Sequence, residues 1–395
     1  MDITNFTEFK TGQLEPITTE TGNNWAFVPD RLTSFEPTTE LWHLIGTARD
    51  CVARLEQIKG ILSDPFLLLR PLQQREAHRS SRLEGTIALP EDLLFFDVAQ
   101  DERETAAPSQ SHRQNESREV WNHYEALRQG HNWIADGKPL GKSLIQHLHK
   151  ILMTGVRGKD KNPGEFRDRL VAVGARPRLF IPPPPDRIDG CITQLDEYMA
   201  SDASREEPLS RCCAVHYQFE AIHPFQDGNG RVGRVLLSLC ISKWLKLTLP
   251  WLYLSEFFER NRREYTERMF RISTNGEWGE WIAFCLQGAI EQSLSTLWRC
   301  ESLKTLREKY IDEYAGLGNR MREILEMLFE SPVVSNSHIA RRCSVSNETA
   351  RKDLLKLVEV GVLHKSKRGR PKTFACLDII EVAFGDSPLV APFPS

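Results

Sequence analysis

The sequence predicts a mostly α-helical protein with one small β-hairpin and a C-terminal helix-turn-helix unit. Three observations carry that expectation. Apolar residues recur at helical spacing along most of the chain, as at 41–61, 121–127 and 143–153. Strand-like character is confined to Leu170-Val171-Ala172-Val173 and Arg178-Leu179-Phe180-Ile181, which flank Gly174 and Pro177 as the arms of a hairpin do. Near the end, two amphipathic stretches, 337–342 and 347–360, are separated by a Ser344-Val345-Ser346 turn.

Composition bounds the rest. With 395 residues, 40% hydrophobic and 27% charged, the chain can bury one large core and a second small one, so two or three domains are expected and a disordered or fibrous class is excluded. Lys plus Arg number 51 against 54 Asp plus Glu, a net charge of -3, so no global field draws the molecule to nucleic acid or membrane. Any such role must be local. No basic leader followed by an apolar stretch opens the chain, and the richest apolar run, 235–245, is short and broken by Lys243, so neither export nor a membrane span is expected. Nine Cys without a CxxC pair cannot all pair within one chain, which points to free thiols and the cytoplasm.

In chain order, the part through Arg75 reads as an irregular Pro-containing lead with helix-like stretches. The polar segment 101–117 reads as a surface linker. Helical patterns resume at 121–127 and 143–153 and stop at Gly155. After the hairpin, Pro182 to Pro185 delay the next helix to about Asp186, and helices then run to about Tyr310. The expected organisation is an N-terminal helical region at 1–114, a catalytic domain at 115–310 and a helix-turn-helix domain at 315–380, with a loose tail after Ser387.

Residues 223–234 read His-Pro-Phe-Gln-Asp-Gly-Asn-Gly-Arg-Val-Gly-Arg and follow an apolar run ending at Ile222. Pro224 and Gly228-Asn229-Gly230 force a loop, and from Arg231 a helix restarts with Val235, Leu236 and Leu239 facing inward. A Gly-Asn-Gly turn feeding a helix start lets successive backbone N–H groups converge, and the helix dipole makes that point an anion site suited to phosphate. Arg231 and Arg234, three apart, share one helix face and can hold phosphate oxygens. Asp227 beside the turn can hold a divalent cation that offsets polyphosphate charge. His223 at the loop entrance can take a proton from an attacking hydroxyl.

His223, Phe225, Asp227, Gly228, Asn229, Gly230, Arg231 and Arg234 match every fixed position of HxFx[DE]GNGRxxR, so the segment resembles the signature of the Fic family. Likeness extends to Gly164-Glu165-Phe166-Arg167, Ile181-Pro182-Pro183-Pro184 and His216-Tyr217-Gln218-Phe219-Glu220, over roughly 115–290. The resemblance implies a helical Fic core that binds ATP with Mg2+ and transfers AMP to a Ser, Thr or Tyr hydroxyl of a target protein. By position, His223 is then the general base, Asp227 the metal ligand and Gly228, Asn229 and Gly230 the phosphate cradle. Arg231 and Arg234 stabilise phosphate charge, and Phe225 anchors the loop. Asn261-Arg262-Arg263-Glu264-Tyr265-Thr266 resembles the family's nucleoside-side NRxxYY segment with Thr266 in place of the second aromatic, which places Asn261 and Tyr265 near adenine or ribose. The hairpin at 170–181 matches the family's flap, whose edge would hold a target segment by strand addition.

Ser80 and Glu84 are four apart on an expected helix that Gly85 ends. A carboxylate in a last helical turn opposes the dipole by roughly 0.3 to 1 kcal/mol and gains from a cationic partner. Ser80-Ser81-Arg82-Leu83-Glu84-Gly85 resembles the inhibitory motif [ST]xxxE[GN], which implies that Glu84 pairs with Arg234 and holds the resting enzyme weak. Some relatives use the same Glu in removing AMP, and the sequence is compatible with that reverse activity.

At the C-terminus an amphipathic helix at 322–330 precedes the helix-turn-helix, with Ser346 as N-cap of its second helix. Gly361-Val362-Leu363 starts a short strand, and 365–372 reads as a basic wing. From His338 to Lys372 ten Lys or Arg stand against three acids. This unit resembles a winged-helix domain, in which Asn347, Thr349, Arg351 and Lys352 can face a DNA groove, although winged helices also dock proteins. The other reading of the whole chain is therefore a DNA-binding regulator with a sensory or vestigial Fic module, and a third is transfer of phosphate or phosphocholine, which the complete signature disfavours. Gly137 to Ser143 imitates a P-loop but has three residues between its glycines where four are needed. A homodimer is compatible with the sequence, which does not set the oligomeric state.

Overall fold

A computed structural model describes residues 1–6, 11–19, 22–58, 66–102, 112–156, 161–174, 179–202, 206–366 and 373–386. Two strands open the chain, β1 (Gly12–Thr19) and β2 (Gly22–Pro29), followed by α1 (Thr39–Gln57), α2 (Phe66–Leu83), α3 (Pro90–Glu102) and α4 (His112–Ala135). Next come α5 (Lys142–Leu152), α6 (Pro185–Ala200), α7 (Pro208–Ile222), α8 (Asn229–Trp244), α9 (Ser255–Arg260), α10 (Arg262–Asn275) and α11 (Trp278–Glu313). The C-terminal part holds α12 (Asn319–Glu330), β3 (Val333–Ser335), α13 (Asn336–Arg342), α14 (Asn347–Glu359), β4 (His364–Lys365), β5 (Thr373–Ala375) and α15 (Leu377–Phe384). The mostly α expectation holds. The chain folds as two compact units, the first made of 1–52 with 125–292 and the second of 53–124 with 293–395.

In the first unit α7 and α8 form the centre. Nearly every side chain of α7 is buried, as is most of α8 through Ile241, so these helices lack a solvent stripe and are covered on several sides. Gly233 makes their close approach feasible: a Cβ there would lie 2.3 Å from Glu220 Oε1 and 3.0 Å from the Phe219 ring. α5 packs on α8 and α6 on α7. The Trp281 indole of α11 donates to the Cys213 carbonyl at 3.0 Å, tying the long helix to the same core.

The antiparallel pair β1 and β2, in register from Gly12 opposite Pro29 to Thr19 opposite Gly22, corrects the expectation of an irregular lead. Phe27 explains it. Its ring is buried against Phe6 and Phe180, and its N–H donates to the Ile181 carbonyl at 2.8 Å, so tertiary contacts extend a strand from polar flanking sequence. The hairpin expected at 170–181 is present as a single antiparallel bridge, Val173 to Phe180, with its turn at 175–178 outside the described residues.

The second unit contains the winged helix: α12, the α13–α14 pair and a three-stranded sheet in the order β3-β5-β4. Ser346 caps α14 as expected, accepting from the Thr349 N–H. The wing tip, 367–372, and the tail from 387 lie outside the described residues. This domain does not stand alone. Leu94 and Val98 of α3 share a core with Val333, Ala375, Ile380, Ala383 and Phe384, and α2 packs on α12 and α15. Arg299, fully buried, donates to the Val382, Ala383 and Gly385 carbonyls and so caps α15 from α11. The linker expected at 101–117 is corrected at both ends: α3 reaches Glu102, α4 begins at His112, and Glu116 and Ser117 are buried. Only 103–111 falls outside the described residues there. Local polarity does not keep Glu116 and Ser117 out of a helix where the fold buries them.

Candidate active site

The signature lies where α7 ends and α8 begins. His223 closes α7 in the left-handed region, φ 48° and ψ 59°, with its N–H on the Phe219 carbonyl. That conformation is strained for a non-Gly residue, so the surroundings must enforce it. Arg167 does so. Its Nε donates to the His223 carbonyl at 2.8 Å, Nη2 to the Pro183 carbonyl at 2.6 Å and Nη1 to the Arg169 carbonyl at 3.0 Å. Its own backbone N–H donates to the Pro224 carbonyl at 2.9 Å. The guanidinium is buried, and burial pulls its pKa down to about 10, still charged at neutral pH.

Beyond Pro224 the loop is closed by Asn229, which accepts from the Phe225 N–H at 2.9 Å and donates to the Phe225 carbonyl at 2.8 Å. Phe225 is fully buried and stacks on His149, ring centroids 3.7 Å apart and 7° from parallel. Phe225 is thus the anchor the sequence predicts, while the Asn229 side chain is taken up by loop closure. Gly228 takes φ +79°, and a Cβ there would meet Met153 Sδ at 3.0 Å. Its N–H donates to Asp227 Oδ1 at 2.7 Å. The Asp227 side chain is 42% exposed, with Lys161 Nζ at 3.3 Å.

Arg231 is 6% exposed, and Nη2 reaches Met153 Sδ at 3.6 Å. Its Nε and Nη1 are buried without a hydrogen-bond partner among the described residues. A buried charged donor left unsatisfied is costly, which makes these atoms, next to Gly228 and the start of α8, a fit for an anion. Arg234, also buried on α8, lies near enough to His216 to oppose its protonation. The His223 side chain is 20% exposed, with Nδ1 4.0 Å from Glu220 Oε2. No group of three or more His, Cys, Asp or Glu that could hold a metal ion converges among the described residues.

Tyr265 is buried, stacks on Phe258 at 4.5 Å and hydrogen-bonds His216 Nε2 at 2.8 Å, while His216 Nδ1 lies 3.1 Å from the Gly233 carbonyl. A carbonyl only accepts, so Nδ1 carries the proton and Nε2 accepts from the tyrosine hydroxyl. Tyr265 thereby braces α8 from the core side. Asn261 sits between α9 and α10, donates to the Phe257 carbonyl at 2.9 Å and borders an open depression of about 450 Å³ with Arg262 and Glu264. The structure thus gathers His223, Asp227, Gly228, Asn229, Gly230, Arg231 and Arg234 on one loop and helix start. Ser80, buried in the last turn of α2, and Glu84, in the exposed turn after it, belong to the second unit.

Sequence reasoning missed His149, Met153 and Lys161, and it noted His216 and Arg167 within motifs without assigning either a role. One signal was available: α5 presents Leu144, Ile145, Leu148 and Leu152 to the core, and His149 falls on that same buried face.

Fold and site together define a helical domain organised around the loop that joins α7 to the start of α8. Residues 139–241 match the Fic/DOC family, 42–132 the Fic/DOC family N-terminal region and 320–370 the DeoR-like helix-turn-helix domain, so the chain carries a Fic/DOC domain preceded by that family's N-terminal region. A probable protein adenylyltransferase of Aquifex aeolicus is 27% identical over 155 residues, 39% of this chain and 46% of its own length. A protein adenylyltransferase Fic of Drosophila mojavensis is 33% identical over 81 residues, 20% of this chain. The chain spans 46% of the first of these curated relatives and 15% of the second. Among solved structures, a Fic family protein from Desulfovibrio desulfuricans aligns with TM-score 0.56 at 19% identity, over 87% of this chain and 98% of its own. A Fic-domain signalling protein from Bacteroides thetaiotaomicron aligns with TM-score 0.52 at 18% identity, over 65% of this chain and 97% of its own. No helix among the described residues is long and apolar enough to cross a membrane.

Proposed function

We propose that this protein is an adenylyltransferase that moves AMP from ATP to a Ser, Thr or Tyr hydroxyl of a target protein and of itself. The observation that carries the reading is the buried Arg231 side chain, whose Nε and Nη1 lack partners among the described residues beside the Gly228 turn. In this reading the N–H groups at the start of α8, with Arg231 and Arg234, bind the phosphates of ATP. Asn261 and Tyr265 serve the nucleoside side. Asp227 would hold Mg2+, which offsets phosphate charge. His223 accepts the proton of the attacking hydroxyl, the oxygen bonds to the α-phosphorus, and the bond to the bridging oxygen breaks to release pyrophosphate.

The proposal includes a brake in which Glu84 engages Arg234 and keeps the terminal phosphate from its productive place. Removal of AMP through the same Glu84 belongs to this reading as its reverse arm. Incubating the full chain with ATP labelled on the α-phosphate, and in parallel with ATP labelled on the γ-phosphate, is the test. Label on protein supports AMP transfer, label only from the γ-phosphate points to phosphate transfer, and no label from either overturns the reading.

A second reading is favoured by one observation, the DeoR-like match over 320–370 on an ordered helix-turn-helix. In it the chain binds DNA through 335–372, with exposed Asn347, Arg351 and Lys352 toward a groove. A salt-dependent gel shift with genomic fragments supports it, and no shift at low salt removes it.

A further inference from the structure

We infer that His149 is a positioning residue of the nucleotide site, holding the Asp227–Gly228 bend in the form that grips phosphate. The inference deepens the transferase reading and rests on it for its consequence, although the geometry stands by itself.

His149 is in the last turn of α5 and only 1% exposed. Its two ring nitrogens face opposite kinds of partner. Nδ1 accepts from the Gly164 N–H at 2.8 Å, and Nε2 lies 3.1 Å from the Asp227 carbonyl oxygen. An amide N–H only donates and a carbonyl only accepts, so the ring carries its proton on Nε2. The imidazole therefore joins two segments that the sequence places far apart. Through Gly164 it engages the stretch whose Arg167 holds the His223 carbonyl, and through Asp227 it engages the bend itself.

Stacking on Phe225 sets the plane of the ring, and Met153, one helical turn on, supports the neighbouring atoms. Met153 Sδ would lie 3.0 Å from a Cβ on Gly228 and is 3.6 Å from Arg231 Nη2. The end of α5 is thus the floor under Asp227, Gly228 and Arg231. With its carbonyl pinned by His149, Asp227 turns its side chain back to its neighbour, where Oδ1 accepts from the Gly228 N–H at 2.7 Å. Without the ring, the bend loses the bond that fixes the Asp227 peptide plane, and with it the direction of the next N–H. Partners one layer behind a binding group commonly matter at about 10- to 100-fold.

Three variants of the full chain separate the two bonds. His149→Asn puts an acceptor near the Nδ1 position and serves Gly164 alone. His149→Gln can bring an amide donor to the Nε2 position and serves Asp227. His149→Phe keeps the stack and removes both bonds. Hydrogen exchange of the ligand-free protein over 223–231 is expected to quicken about tenfold in the Phe and Asn variants and clearly less in the Gln variant. In ATP titrations with Mg2+ the apparent KM should rise about 10- to 100-fold for Phe and Asn, with Gln recovering part of the loss. Equal exchange in wild type and the Phe variant overturns the inference, as does an Asn variant that matches Gln in both measurements. If the wild type never labels protein but the exchange order holds, the transferase reading falls and the positioning role stands.

Discussion

The Arg167 guanidinium donates from Nε to the His223 carbonyl at 2.8 Å, joining a buried cation to the residue that ends α7 in the left-handed region. The same side chain reaches the Pro183 and Arg169 carbonyls, so the segments before and after the 170–181 bridge meet at one fork. Arg167→Met should leave those carbonyls buried and unpaired at a cost of about 3 kcal/mol, read from the shift in denaturant midpoint. Arg167→Lys, with one ammonium in place of a planar fork, should lose most of the same amount. A midpoint that does not move in the Met variant would show that solvent replaces the bonds.

Labelling by the His223→Ala variant should fall by about 10²- to 10⁴-fold, the range of a lost general base. Glu84→Gly should raise self-labelling or target labelling above wild type. Equal labelling in wild type and the Glu84 variant removes the brake. Mass spectrometry of proteins modified by Glu84→Gly would identify the target.

Acid should weaken the fold well above the pH at which carboxylates titrate. Burial lowers the pKa of His78 and of His131 to about 4 and that of His216 to about 3, against an ordinary value of 6.5. Between 6.5 and those folded values the unfolded chain binds protons that the native chain refuses. Stability therefore rises with pH through that window and falls on acidification, each histidine contributing at most about 1.4 kcal/mol per pH unit. Urea midpoints at pH 7 and pH 5 should differ, the latter being lower; identical midpoints would mean that these rings accept protons without unfolding.

Leu94→Ala should disturb the winged helix although it lies far outside 315–380. Leu94 is buried in one core with Val333, Ala375 and Phe384, so its truncation should cost about 2 to 5 kcal/mol. Hydrogen exchange should accelerate over β3, β5 and α15. Unchanged exchange there would mean that α3 contributes nothing to the fold of the C-terminal domain.

Much of the site is legible in the sequence. The loop between α7 and α8 announces itself through Pro224 and Gly228-Asn229-Gly230, because proline and glycine restrict or release the backbone whatever surrounds them. α5, α6 and the α13–α14 pair are legible for a related reason: apolar periodicity records which face each helix buries. β1 and β2 are not, since their pairing depends on Phe27 finding Phe6 and Phe180 from elsewhere in the chain. Helix over 112–117 likewise rests on burial of Glu116 and Ser117, which local propensity does not foretell.

By itself the sequence determined the class of fold and the loop and helix start that carry the signature residues, because backbone restriction and periodicity act locally. Only the tertiary structure decided that Arg167 and His149 hold the two ends of that loop, that Tyr265 braces α8 through His216, and that α3 completes the core of the winged helix. Those roles rest on hydrogen bonds and packing between segments tens to hundreds of residues apart, and such pairings exist only once the chain has closed on itself.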